Sequence, residues 1–171
     1  MTFVPAPMPD AWECGAMYSD TDRIAVGVDG SENSLEALRY AARMARALDA
    51  PLEAITVWSY PPITGAVFGV AWSPADDAKK ILARAVDTVF GHEKPARFTT
   101  SVLPGPAAKT LIDLSETCGM LVLGSRGVGG FTGLVLGSVV AACAAHAHCP
   151  VLVVHQHPEP AVATEGTEHE T

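Results

Sequence analysis

Gly124, Gly127, Gly137 and Ser138 punctuate a stretch between one apolar run, Met120 to Leu123, and another that starts at Ser138. Glycine lets the backbone turn freely and lets a ligand approach the main chain closely. The first N–H groups of a helix have no intrahelical acceptor and point outward. A strand, a sparse glycine loop and a helix N-terminus in that order therefore make a place for an anion, and phosphate is the natural candidate. Asp29 is the second residue of interest, because Asp29-Gly30-Ser31 closes a separate apolar run, Arg23 to Val28. Its carboxylate has two readings: an acceptor for a ligand's hydroxyl or base edge, or a cap for the helix that follows.

The elements that position these residues follow from periodicity. Arg23 to Val28 reads as a first strand, after which Leu35, Leu38, Ala42, Ala45 and Leu48 recur at helical spacing. Ser31 is a suitable N-cap for that helix, and Pro51 stands beyond its end. Leu52 to Trp58 reads as a second strand, and Ser59 to Trp72 as a long loop rich in Pro, Gly and aromatic residues. Ser73-Pro74-Ala75-Asp76 resembles a capping box with proline at the first helical position, and a stripe from Ala78 to Val89 then runs to Gly91. Arg97 to Leu103 is a more polar third strand, suited to a sheet edge. A third helix runs from Pro104-Gly105-Pro106 to Cys118, with Gly119 as its expected stop. Met120 to Leu123, Ser138 to Ala147 and Pro150 to His155 complete the series as strand, helix and strand. Strands that alternate with helices and are apolar throughout predict a parallel sheet covered on both faces, an α/β domain.

With 171 residues, 49% of them hydrophobic, the chain suits one domain with a full core. The formal charge of −8 belongs to the ends: residues 1–22 and 156–171 hold eight of the nineteen acids and no Lys or Arg, so the middle balances eleven acids against eleven bases. No basic patch speaks for a nucleic-acid partner. Both ends read as disordered, residues 1–21 as a leader and 157–171 as an acidic tail around a domain at 22–156. No segment has the length of a membrane span, and no signal peptide is recognisable, so the expected location is cytoplasmic. Cys14, Cys118, Cys143 and Cys149 lack zinc-ligand spacing and read as small core hydrophobes in a reducing compartment. His155 and His157 share a strand face, but one pair is too few ligands for a metal.

In a doubly wound sheet, ligands bind beyond the carboxyl ends of the strands where the strand order reverses. With strands one and four side by side, Asp29 and the Gly124 loop share a crevice. Phosphates on the loop and a ribose or base against Asp29 describe a nucleotide.

VDGS after the first strand, GSRGVGGFTGLVLGS after the fourth and CPVLVV in the last closely resemble the universal stress protein family, over residues 22 to 155. The loop fits that family's pattern G-x2-G-x9-G-[ST] through Gly124, Gly127, Gly137 and Ser138. The resemblance implies a five-stranded parallel sheet in order 3-2-1-4-5 with helices on both faces, the adenine nucleotide alpha hydrolase-like fold. It implies ATP binding, in which Asp29 contacts adenosine, Val57 meets adenine through its main chain, and Gly124, Arg126, Gly127, Gly137, Ser138 and Val139 hold ribose and phosphates. A homodimer through the last strand is also implied. Gly119 stands where the family often has an aspartate, a departure away from the site.

The ligand expected is ATP, with or without Mg²⁺, and cyclic AMP is the alternative. A regulatory binding protein is favoured over a slow ATP hydrolase or phosphotransferase, because the chain has no GxxxxGK[ST] and the loop offers only Arg126 and Ser138 to a transferring phosphoryl group. A dimeric interaction protein with no nucleotide is the third reading. Gly127→Asp is expected to abolish anion binding and leave the fold intact.

Overall fold

The computed structural model describes residues 22–60, 72–128 and 135–156. The leader, the tail, Cys14, His157 and most of the Ser59-to-Trp72 loop lie outside the described residues. The elements are β1 (Ile24–Gly27), α1 (Glu32–Ala47), β2 (Leu52–Trp58), α2 (Pro74–Phe90), β3 (Phe98–Pro104), α3 (Ala107–Leu114), β4 (Met120–Gly124), α4 (Ser138–His146) and β5 (Val151–Val154). They build one parallel sheet in the order β3-β2-β1-β4-β5, with β1 in register with both neighbours: Ile24 stands opposite Leu52 on one side and Met120 on the other.

Burial on both faces explains why the strands lack polar alternation. In β1, Ile24, Ala25 and Val26 are all shielded, and they face opposite ways. Ile24 and Val26 pack with Leu38, Ala41, Leu82 and Val86, under α1 and α2. Ala25 packs with Leu111, Leu121, Leu123, Val140 and Cys143, under α3 and α4. The chain winds outward from β1 through β2 to β3, then crosses to the other side of β1 as β4. That reversal leaves a crevice between the carboxyl ends of β1 and β4.

The local signals act as their chemistry requires. Ser31 caps α1, its side chain accepting from the Ser34 N–H at 3.2 Å. Ser73 caps α2, its hydroxyl accepting from the Asp76 N–H at 3.3 Å with Pro74 opening the helix. The polar strand β3 lies at the sheet edge with Thr99 and Thr100 exposed. Gly119 departs from its expected part. Helix α3 ends at Leu114 and tightens into a 3-10 turn over Ser115–Thr117, and Cys118 is already extended at φ −130 and ψ 153. Gly119 therefore leads into β4, its N–H donating to the Arg23 carbonyl at 3.0 Å.

Candidate functional site

A cavity of about 410 Å³ opens at the β1/β4 crevice. All eight residues singled out from the sequence line it: Asp29, Val57, Gly124, Arg126, Gly127, Gly137, Ser138 and Val139.

Asp29 follows β1 and turns back on α1 and across to the glycine loop. Its Oδ1 accepts from the Ser31 N–H at 3.0 Å and the Ser31 hydroxyl at 2.6 Å, and its Oδ2 accepts from the Val128 N–H at 2.8 Å. The helix cap is Ser31, so Asp29 acts instead as a latch between the β1 turn and the loop after β4. Burial works against its charge. Hydrogen bonds from Ser31, through hydroxyl and N–H, from the Val128 N–H and from Ser34 outweigh that cost and hold the carboxyl below its ordinary value of 3.8.

The three glycines have different reasons to be glycine. A Cβ on Gly124 would lie 2.6 Å from the Asn33 backbone, so β4 can reach the first turn of α1 only without a side chain there. A Cβ on Gly127 would run into Asp29 Oδ2. Gly127→Asp would thus press a second carboxylate on the Asp29 latch, and its urea-unfolding midpoint is the measurement that checks the expectation of an intact fold. At Gly137 a Cβ would find ordinary contacts, 3.6 Å from Arg126 Cα and 3.7 Å from the Ser125 carbonyl oxygen. The fold leaves room at Gly137, in the gap between α4 and the turn at 125–127.

That gap is bounded by main chain. The Gly137 N–H donates to the Ser125 carbonyl at 2.8 Å and closes the loop on itself, while the Ser125 N–H donates to the Val154 carbonyl at 2.7 Å and ties it to β5. Gly137 is the N-cap of α4 and brings no capping side chain, and the helical ladder starts only with the Ala141 N–H on the Gly137 carbonyl at 2.9 Å. The N–H groups of Ser138, Val139 and Val140 thus precede the first intrahelical bond, the arrangement that suits an anion. Arg126 is exposed at the mouth and is the single Lys or Arg among the described residues lining the cavity.

The opposite wall is apolar and ends in a main-chain edge. Val28, Ile55, Ala107, Leu111 and Leu123 line it with Val57. The Val28 N–H donates to the Ile55 carbonyl at 2.8 Å, but the Val28 carbonyl accepts from Thr56 Oγ1 at 2.8 Å instead of from Val57. The β1–β2 ladder stops there. Because alternate residues of β2 face β1, the Val57 N–H and carbonyl point past the end of β1 toward the cavity.

Sequence reasoning missed Asn33. Its Oδ1 accepts from the Gln156 N–H at 3.2 Å and the Ser125 hydroxyl at 3.4 Å, so one amide on α1 holds the carboxyl ends of β4 and β5 together. No periodicity marks it, since an Asn in a first helical turn reads as a solvated polar residue. The apolar wall was missed for a related reason: in sequence its residues are indistinguishable from core. Among the described residues no group of three His, Cys, Asp or Glu gathers as metal ligands, and no helix is long and apolar enough to cross a membrane.

A doubly wound parallel sheet, a glycine loop and an open helix N-terminus at the reversal define a class of ligand-binding α/β domains, and comparison narrows it. Residues 20–155 match the Universal stress protein family. Universal stress protein Rv1996 of Mycobacterium tuberculosis is 35% identical over 158 residues, covering 81% of this chain and 49% of its own length. Universal stress protein MJ0531 of Methanocaldococcus jannaschii is 31% identical over 137 residues, covering 77% of this chain and 81% of its own. A crystal structure of a universal stress protein in complex with cAMP has a TM-score of 0.61 and 26% identity, covering 81% of this chain and all of that one. The Archaeoglobus fulgidus universal stress protein in complex with dAMP shares the fold, with a TM-score of 0.56 at 22% identity over 80% of this chain and 99% of that one. The chain belongs to the universal stress protein family and has its adenine nucleotide alpha hydrolase-like fold. It spans about half the length of the mycobacterial relatives it matches.

Two expectations follow. Gly124→Ala lowers stability by about 1–3 kcal/mol through overpacking against α1, whereas Gly137→Ala stays within about 0.5 kcal/mol of wild type, both read from urea unfolding. Because the folded-state pKa of Asp29 is depressed, its stabilisation is present above the unfolded value near 3.8 and is lost as pH falls through the folded value. The stability difference between wild type and Asp29→Asn is therefore constant from pH 7 to about 5 and closes below about 4. A difference that persists unchanged at pH 3 contradicts the latch.

Proposed function

We propose that this chain is a regulatory ATP-binding protein of its family, and that the cavity between β1 and β4 takes the nucleotide. The observation that carries this reading is the junction at Gly137, where N–H groups at the start of α4, without an acceptor among the described residues, face a gap that those residues leave open. Phosphates fit that junction, with Gly127, Gly137, Ser138 and Val139 offering main chain and Arg126 countering charge from the mouth. Gly124 forms the floor beside them. The apolar wall suits an adenine ring, and the main-chain donor and acceptor of Val57 suit its polar edge. Asp29, with one lone pair of Oδ2 still available beside the Val128 bond, suits a ribose hydroxyl.

Cyclic AMP is the second reading, favoured by the 26%-identical relative whose structure is a complex with that ligand. Calorimetric titration with ATP and with cyclic AMP decides between them. ATP is expected to bind more tightly, and Gly137→Ala to weaken it about tenfold or more with an unchanged unfolding midpoint, since a methyl group occupies the gap without disturbing the packing. No heat from either nucleotide at millimolar concentration overturns the proposal.

The same reading includes a homodimer through β5. Among the described residues β5 pairs with β4 alone, and Val151, Leu152 and Val153 are only half-buried. Since the carbonyls of Pro150 and Val154 point to β4, the N–H groups of Val151 and Val153 point away from it, to the open edge. Val153→Pro removes one outward donor and spares the β4 ladder. Light scattering is expected to show wild type at twice the chain mass and the variant at one; a variant of dimeric mass contradicts this edge as the interface.

A further inference from the structure

Two thiols that the sequence presents as separate core residues meet at the amino ends of β4 and β5, away from the cavity. Cys118 and Cys149 stand 3.7 Å apart, Sγ to Sγ. Each precedes its strand by two residues, and the strands are neighbours, with Leu121 opposite Val151. The backbone on both sides is tied down: the Gly119 N–H donates to the Arg23 carbonyl at 3.0 Å, the His148 N–H to Ser115 Oγ at 2.8 Å, and the Leu121 N–H to the Pro150 carbonyl at 2.9 Å. The sulfurs are in van der Waals contact, and a disulfide bond of about 2.05 Å requires them to close the remaining gap.

We propose that Cys118 and Cys149 are an oxidisable dithiol, a modification site at which a hydroperoxide converts two free thiols into a disulfide that clamps β4 to β5. The two sulfurs have different parts. Cys149 is half-buried and reachable from solvent, whereas Cys118 is buried. Burial, and then the neighbouring Cys149, push the Cys118 thiol up to about 12, so it stays protonated and the oxidant reacts first at Cys149. In the first step the Cys149 sulfur takes the terminal peroxide oxygen. The O–O bond breaks, Cys149 becomes a sulfenic acid, and the departing oxygen takes the Cys149 thiol proton and leaves as an alcohol, or as water from hydrogen peroxide. In the second step the Cys118 sulfur displaces that oxygen. The S–S bond forms, the S–O bond breaks, and the Cys118 proton leaves with the hydroxyl as water. The thiol pair gives up two electrons and the peroxide accepts them.

Residues 118–149 enclose β4, the glycine loop and α4, so the disulfide turns the whole loop-bearing unit into a covalent ring of 32 residues. A ring of that size restricts the unfolded chain and raises resistance to unfolding. Cys143 is the competing thiol. It is completely buried, and its pKa is raised by burial first and by Cys149 second, so it is shielded from oxidant and held protonated.

The experiment uses the full chain carrying Cys14→Ser and Cys143→Ser, treated with hydrogen peroxide and analysed by intact mass, thiol titration and melting. Expected are the loss of both remaining thiols, a monomer lighter by about 2 Da, a linked Cys118–Cys149 peptide, and a melting temperature about 5–15 °C higher that dithiothreitol reverses. Adding Cys149→Ser, a change at a half-buried position, is expected to abolish the mass loss and the shift. Two thiols surviving peroxide, a gain of about 32 Da with no crosslink, or a disulfide joining two chains would each overturn the proposal.

Discussion

The hydrogen bond from the Val128 N–H to Asp29 Oδ2 joins two segments ninety-nine residues apart, and the geometry of the cavity depends on it. It carries the glycine loop from the end of β4 across to the end of β1. Gly127 lies beside the same carboxylate, so that a Cβ there would run into Asp29 Oδ2 and displace it. Ser31 completes the arrangement by capping α1 while donating to Asp29 Oδ1, so the start of one helix, the end of one strand and the rim of the loop share a single charged group. The depressed pKa of Asp29 is the electrostatic trace of that sharing.

Asn33 does for the β4 and β5 ends what Asp29 does for β1 and the loop. Together they leave α4 with its N-terminus aimed into the crevice, and its first N–H groups receive no side-chain cap from Gly137. A helix end left open inside a walled cavity asks for a partner, and the described surroundings limit its kind: donors on one side, apolar surface on the other, and among the described lining residues a single cation, Arg126, at the mouth. The chemistry is that of a ligand with an anionic end and a flat apolar end.

The sheet separates two kinds of chemistry by direction. Its carboxyl ends hold the loop, the cavity and the Asp29 latch. Its amino ends hold Arg23, paired with Glu53 at 3.1 Å, and the Cys118–Cys149 contact. Every strand of a parallel sheet runs the same way, so residues before the strands gather at one edge and residues after them at the other. Thiols spaced far apart in the chain become neighbours for that reason alone.

Much of the fold was legible in the chain itself. Apolar runs bounded by Ser31, Ser73 and Gly91 mark elements within a residue or two of their observed limits, because capping and strand burial are local properties that a residue carries wherever it goes. The glycine spacing, the open start of α4 and the family resemblance brought all eight candidate residues to one cavity. What spacing could not assign was why each glycine is a glycine, since Gly124, Gly127 and Gly137 look alike in sequence and differ only in what approaches them. Nor could it assign the part of Asn33, the pairing of Cys118 with Cys149, or the place where the β1–β2 ladder stops and bares Val57. Those depend on contacts between segments distant along the chain, and such contacts exist only once the sheet has set its order and register.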